Sequence, residues 1–484
     1  MSEINKPKLG KLIGMKKQVF NQHIKDNQIT LSKARLIPMY KPGDEMALTS
    51  VILAGLKFVK EFREDIFSTI GIGKSGQLYA YTEVSFEGYS DCRLDGLILL
   101  VKGGKISSAA IFEMKNGKNQ LDKDQIVKYQ RLAKDFKIPY FVTVSNQFVS
   151  DPSQSPIKTK PPKGVEMRHV SWSYLLTVAH LLLFKNDRNI ADVDQKYLMK
   201  EIVSYLDHPK SGVLGLSQMS KSWSDIADKV QAKTLIKSSN QHLRNTCLDW
   251  QQEEKNLALN ISRELGVLVT TGPKKYRGDL EQRIKDDSQS FLKVKSLESI
   301  FRISGAVSDI YSLADFSSRT IDFYVALTAP SDKTTKGKIG WLRSQLVSSQ
   351  KKSGATFDKL ASVINIEMVI KGGRIHPRFS INDLDKAVEE LKSKEIKEFR
   401  ILVVKGLGAK FASPKKFVIE YEQLMGRFYS AVIQHLKRWE ASAPKVKEKS
   451  VSAEEEVFID MISQKPPTNI YKLLPNDNNS YSTN

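Results

Sequence analysis

Apolar residues recur along this chain with two different periods, and each change of period marks a new element. Between Leu48 and Ile70, apolar residues at positions 52, 56, 59, 62, 66 and 70 have the spacing of one amphipathic helix. "YAYTEVSF" (Tyr79–Phe86), Leu94–Val101 and Ile106–Lys115 then read as strands by length and β-branched content, and Lys102-Gly103-Gly104-Lys105 predicts a hairpin turn. Ile126, Tyr129, Leu132, Ala133 and Phe136 predict a helix from Lys123 to Phe136, followed by a strand from Pro139 to Ser145. After a loop rich in proline and lysine at 150–164, "VEMRHVSWSYLLTVAHLLL" predicts a short strand and a buried helix. Residues 192–265 read as mainly helical, interrupted by "DHPKSGVLGLSQM".

The pattern then changes. "SLESIFRI", "RTIDFYVALTA", "INIEMVIKGG" and "FRILVVKG" predict strands, with helices expected over Ile381–Lys394 and Lys416–Trp439. The fold class expected is α/β in the broad sense (α+β), in five parts. These are a basic arm at 1–45, a first α+β domain at 46–190 and a helical bridge at 191–265. A second α+β domain at 266–443 and a partly disordered tail at 444–484 complete the chain.

Chemistry concentrates in the first domain. Asp95 interrupts an otherwise apolar strand, and an ionised side chain in such a place is costly unless it is paired or binds metal. Alternation puts Glu113 and Lys115 on one face of the next strand, with Phe112 and Met114 on the other. A three-residue hairpin loop would pair Lys102 with Ile106 and so set Asp95 opposite Glu113, about 5 Å apart. Two carboxylates that close repel unless a cation or a proton sits between them. Oxygen ligands without a thiolate favour Mg²⁺, or Mn²⁺ as a substitute, over zinc. Gln125 and Tyr129, one helical turn apart, read as support for this site.

Together, Asp95 in "RLDGLI", Glu113 and Lys115 in "IFEMK", and Gln125 and Tyr129 in "QIVKY" resemble the PD-(D/E)XK nuclease superfamily in its RecB-like form with a QxxxY helix. The resemblance covers about residues 48–183, and Leu94 stands where many members have proline. It implies a restriction-endonuclease-like mixed sheet flanked by helices, and a Mg²⁺-dependent deoxyribonuclease working in defence against foreign DNA, restriction or repair. It implies that Asp95, Glu113 and the Met114 carbonyl ligate the metal. Lys115 would orient or activate water and stabilise charge on the phosphorane, and Gln125 and Tyr129 would position the metal-site water or the substrate phosphate. An additional acid is expected from an earlier element: Glu83 first, with Glu61 and Glu64 as competitors. The rival reading is a non-catalytic, basic nucleic-acid-binding or assembly protein on a degenerate core.

Charge supports a polyanionic partner. The 484 residues carry 75 Lys and Arg against 54 Asp and Glu, a net charge of +21. Residues 1–41 hold nine of those cations and two acids, so the arm is expected to follow a nucleic-acid backbone or to be a solvated tail. Lys118 and Lys128 near the site, and Lys336, Lys338, Trp341 and Arg343 in "SDKTTKGKIGWLRSQL", are candidate DNA contacts, although Trp341 anchoring a core is an equal reading. The same site chemistry would act on RNA. A homodimer, or a partner protein held by the second domain, is also open. The two cysteines, Cys92 and Cys247, suggest neither a disulfide framework nor a zinc site. No run approaches the roughly 20 apolar residues of a membrane helix, no signal peptide is evident, and a cytoplasmic protein is expected. "GIGKSG" at 71–76 follows a helix and lacks the first Walker glycine, so it reads as a helix-ending turn. His169 and His180 read as core or surface residues.

Overall fold

The segment expected to be a loose basic arm is built into a sheet. The computed structural model describes residues 9–34, 43–117, 119–149, 152–184, 190–213, 215–276 and 279–440. Helix α1 (Lys17–Lys25) and strand β1 (Ile29–Lys33) open it, and Leu12, Phe20 and Ile29 are fully buried. Strand β1 pairs antiparallel with β2 (Gln77–Phe86), Ile29 facing Phe86.

Two helices lie between these strands where one was expected. Helix α2 (Glu45–Phe58) starts at Asp44, whose carboxylate accepts from Ala47 N at 3.0 Å. It stops at Val59, whose extended backbone (φ −106°, ψ 106°) separates it from α3 (Lys60–Ile70). Gly71, at φ 77°, ends α3 in the left-handed conformation, so "GIGKSG" is a helix terminus.

Strands β3 (Arg93–Lys102) and β4 (Lys105–Met114) form the expected hairpin by an unexpected route. The loop has two residues, Gly103 and Gly104, and Lys102 faces Lys105. A bulge between Leu100 and Val101 then shifts the register by one, and the pairs run from Leu100 with Ser108 to Gly96 with Phe112. The next positions abreast are Asp95 and Glu113. Loop and bulge cancel, so the expected alignment is reached.

Helix α4 (Lys123–Asp135), β5 (Tyr140–Ser145), β6 (Glu166–Ser171) and α5 (Trp172–Phe184) complete the unit. The six strands lie in sequence order, antiparallel from β1 to β4 and parallel from β4 to β6. Alternation divides the apolar residues of the sheet between two cores. Ile98, Leu100, Phe112 and Met114 pack with α2, α3, α5 and α6 (Val193–Leu206). Leu97, Leu99 and Ile111 pack with α1 and α4. Gly96 is required where α2 crosses β3, since a Cβ there would lie 2.6 Å from Leu53 Cδ1 and 3.1 Å from Phe112 Cβ.

The second sheet is antiparallel. Its elements are α7 (Lys221–Gln231), α8 (Gln241–Leu265), β7 (Thr270–Thr271), α9 (Leu280–Val294), β8 (Ser296–Arg302), β9 (Ile310–Asp315) and β10 (Thr320–Thr328). They continue with α10 (Thr335–Ser353), α11 (Ala355–Ala361), β11 (Ile364–Ile370), β12 (Arg378–Ser380), α12 (Leu384–Glu390), β13 (Ile396–Gly406), α13 (Ala409–Ala412) and α14 (Pro414–Ala431). The strand order is β12-β11-β13-β10-β9-β8-β7. Two expected helices are shorter than their apolar patterns. A 3₁₀ turn at Ile381–Asp383 precedes α12, and α14 ends at Ala431, leaving Trp439 outside it.

The helical bridge divides between the two cores: α6 joins the first, whereas α7 and α8 join that of the second sheet. Both sheets belong to one compact body ending at Trp439. The chain is α+β, as expected. No helix among the described residues is long and apolar enough to cross a membrane. The expected tail at 444–484 and Lys118 lie outside the described residues.

Candidate active site

At the open end of the β3–β4 hairpin, period two brings Asp95, Glu113 and Lys115 to the face covered by α4. Glu113 is fully buried, and Asp95 Oδ2 accepts from Met114 N at 2.8 Å. Lys115 Nζ lies 2.7 Å from Glu113 Oε1, 3.5 Å from Glu45 Oε2 and 4.0 Å from Asp95 Oδ2. Glu113 Oε1 is thus engaged by the Lys115 ammonium, whereas Oε2 is buried with no hydrogen-bond partner.

The electrostatics follow from this crowding. Burial, then the Asp95 charge, push the Glu113 carboxyl up to about 8 against the pull of Lys115. Burial raises Asp95 as well, opposed by the Lys115 charge and the Met114 N–H. Burial alone would lower the Lys115 ammonium, but Glu113 and Asp95 outweigh it and raise it. These carboxylates hold Lys115 as an ammonium, suited to holding negative charge.

Two supports hold these strand ends. Trp172 Nε1 donates to Lys115 O at 2.8 Å. Gln125 Nε2 donates to Tyr129 OH at 3.0 Å, and Tyr129 OH donates to Arg93 O at 2.6 Å. Asp122 caps α4 through Gln125 N at 2.7 Å and fixes where this chain of contacts begins. Gln125 and Tyr129 were expected to hold water or phosphate; their hydrogen bonds instead position the start of β3, two residues before Asp95. Tyr129→Phe should cost about 1 kcal/mol of stability by removing the hydrogen bond to Arg93 O. Chemical unfolding checks the number, and an unchanged midpoint would show that this bond does not hold the start of β3.

The additional acid is differently placed from the expectation. Glu83 lies on β2, but its carboxylate is held by Arg93 Nε at 2.9 Å. It has φ 54°, and among the described residues it is the one non-glycine position inside a strand in the left-handed region. Burial raises its carboxyl, with Arg93 opposing. The acid that reaches Lys115 is Glu45, at the first position of α2, which sequence reasoning missed. Asp44-Glu45 before an apolar run is a helix-start signal that could have found it. Of the competitors, Glu64 pairs with Lys60 at 3.9 Å, and Glu61 Oε2 is buried without a hydrogen bond.

The donor set fits a hard divalent cation in one respect: a buried carboxylate with one oxygen unmet, beside the partly exposed carboxylate of Asp95, is what such an ion would satisfy. Asp95, Glu113 and the Met114 carbonyl are the groups that would hold it. No cluster of three or more His, Cys, Asp or Glu side chains able to hold a metal occurs among the described residues.

The candidate DNA contacts do not converge on this site. Lys128 pairs with Asp91 at 3.0 Å, both exposed. Lys336 is exposed on α10, which packs against the second sheet. Lys338 is corrected: it is 6% exposed and donates to Ile396 O at 2.9 Å, a structural role. Trp341 packs edge-on to Trp439 at 5.9 Å and near Phe399, the core-anchor reading, and Arg343 pairs with Asp385 at 2.6 Å.

His169 is a core residue. Its Nε2 donates to Gln147 O at 2.9 Å, so Nδ1 accepts from Thr143 Oγ1 at 2.9 Å. Burial pushes it down to about 4. A histidine lowered in the folded state gives stability above its unfolded value, near 6.5, that is lost as pH falls towards 4. The loss should be about 3 kcal/mol. Urea midpoints at pH 7 and pH 4.5 should show this slope in wild type and a shallower one in His169→Gln.

No family model, curated protein or solved structure matches this chain.

Proposed function

We propose that the chain is a metal-dependent deoxyribonuclease, which the resemblance places in defence against foreign DNA, restriction or repair. One observation carries the reading: Glu113 is fully buried beside Asp95, with Lys115 on its Oε1 and no partner on its Oε2, a site with room in its charge balance for a further cation. A bound Mg²⁺ would supply polarisation of the phosphate and a lowered pKa for attacking water. Lys115, held as an ammonium, stabilises charge gathering on the phosphoryl oxygens as the scissile P–O bond breaks. Tyr129 and Trp172 keep β3 and β4 aligned.

The second reading, a non-catalytic DNA-binding or assembly protein, is favoured by the absence of a three-acid cluster among the described residues. Supercoiled plasmid and linear DNA incubated with and without Mg²⁺, using wild type and Lys115→Ala, separate the two. Mg²⁺-dependent cleavage lost in Lys115→Ala supports the enzyme. DNA binding with no cleavage, or equal cleavage by both proteins, sinks it.

A further inference from the structure

The second sheet has one face in the core and one face open. Along β9 and β10, buried and half-buried residues alternate strictly, and the half-buried set includes Tyr311, Leu313, Asp322 and Tyr324. In register, Tyr324 faces Tyr311 on one side and Leu402 on the other, and Asp322 faces Leu313. The two tyrosine rings are stacked, 4.6 Å apart and 8° from parallel. The Arg400 guanidinium lies 5.6 Å from the Tyr324 ring centre, and Arg400 and Arg378 both bind Glu367. These residues line a depression of about 160 Å³. That is below the roughly 300 Å³ of an ordinary small-molecule pocket and suits one flat ring.

The polarity of the depression is divided. Arg378, still 57% exposed, and Arg400 stand on one side of the tyrosines, and Asp322 and Glu298 on the other. Asp322 Oδ1 is buried and has no hydrogen-bond partner, and burial pushes this carboxyl up to about 6 against a Thr320 hydrogen bond and the Arg378 charge. At neutral pH it is an acceptor in need of a donor.

We propose that this depression takes one unpaired base of single-stranded DNA, stacked on the tyrosine pair, with Asp322 accepting from its exocyclic amino group and Arg378 meeting an adjacent phosphate. The inference rests on the nuclease reading for its polyanionic partner. Aromatic residues on an open sheet face stack bases whatever their sequence, and a carboxylate accepts from the amino group of cytosine or adenine, which thymine lacks. A paired base hides its faces in the duplex, so this site meets bases only where strands are open. A cationic ligand would also suit tyrosine and aspartate, but Arg378 and Arg400 beside the rings disfavour it.

Fluorescence anisotropy in EDTA, with the full chain and labelled short oligo(dC), oligo(dT) and duplex, tests this without cleavage. Oligo(dC) should bind about tenfold more tightly than oligo(dT), and both more tightly than duplex. Tyr324→Leu should weaken oligo(dC) binding about tenfold, while Tyr324→Phe, which keeps the ring, restores it. Asp322→Ala should bring oligo(dC) down to the oligo(dT) level. Wild-type affinity in Tyr324→Leu, or equal affinity of wild type for oligo(dC) and oligo(dT), overturns the proposal. Plasmid cleavage by wild type is scored separately. Cleavage with Tyr324-independent binding leaves the enzyme and removes this site, and Tyr324-dependent binding without cleavage does the reverse.

Discussion

Glu113→Gln should cut cleavage by about a hundredfold or more and, in metal-free buffer, make the protein more stable. The wild-type carboxylate is fully buried and crowded by Asp95, and its Oε2 has no hydrogen-bond partner. Such a group costs about 1–3 kcal/mol, and a neutral amide of nearly the same shape removes much of that cost. Activity should fall on the order of a hundredfold to a thousandfold, the usual effect of deleting one group that stabilises a transition state. A gain in stability with loss of function is the mark of a residue kept for chemistry. Mg²⁺ gives an independent readout: at a hundred times its dissociation constant it should stabilise wild type by about 2.7 kcal/mol and leave Glu113→Gln nearly unchanged. Calorimetry with and without Mg²⁺, together with plasmid cleavage, measures all three effects. A destabilised variant that cuts normally would show Glu113 to be an ordinary structural carboxylate.

The largest loss of stability is expected from Trp223→Ala. Trp223 is fully buried on α7, and its ring centre lies 4.3 Å from that of Phe417 and 4.7 Å from that of Phe316. Its Nε1 donates to Phe411 O at 2.8 Å, so truncation leaves both a cavity and an unmet carbonyl. The cost should be about 3–5 kcal/mol, read as a drop in the urea midpoint. A change below about 1 kcal/mol, the size of a surface effect, would mean that α7 docks loosely. In that case the bridge would be independent of the second sheet.

Which of these features were legible in the sequence depended on how much each was forced by burial. Asp95 and Glu113 align because both strands are buried on both faces, and a one-residue slip would turn every apolar side chain over. The alignment therefore survives a shorter loop than expected, because the bulge at Leu100 and Val101 restores it. Residues 9–34 were hidden for the opposite reason. Leu12, Phe20 and Ile29 are far apart in a lysine-rich background, and their pattern shows only once the sheet edge that they cover is known. Strand β9 was missed because its alternation is carried by Tyr311, Ser312 and Leu313, a mixture with no apolar run. Lys338 shows the limit of reading charge as surface: its ammonium is spent on one carbonyl at a strand end. Glu45 belongs to no periodic pattern, so only its place after a helix cap marked it.

Two amides tie the segment after α6 to the strand ends next to the carboxylates. Asn116 Nδ2 donates to Gly43 O at 3.0 Å and to Ser211 O at 2.6 Å, and Asn146 Nδ2 donates to Gly117 O and to Gly212 O. A Cβ at Gly212 would come within 2.5 Å of the Asn116 amide, so the chain between α6 and α7 is seated without slack. Mechanically this is a short tie-rod. A shift of the segment that leads towards the second sheet would be felt first at Asn116, two residues beyond the end of β4.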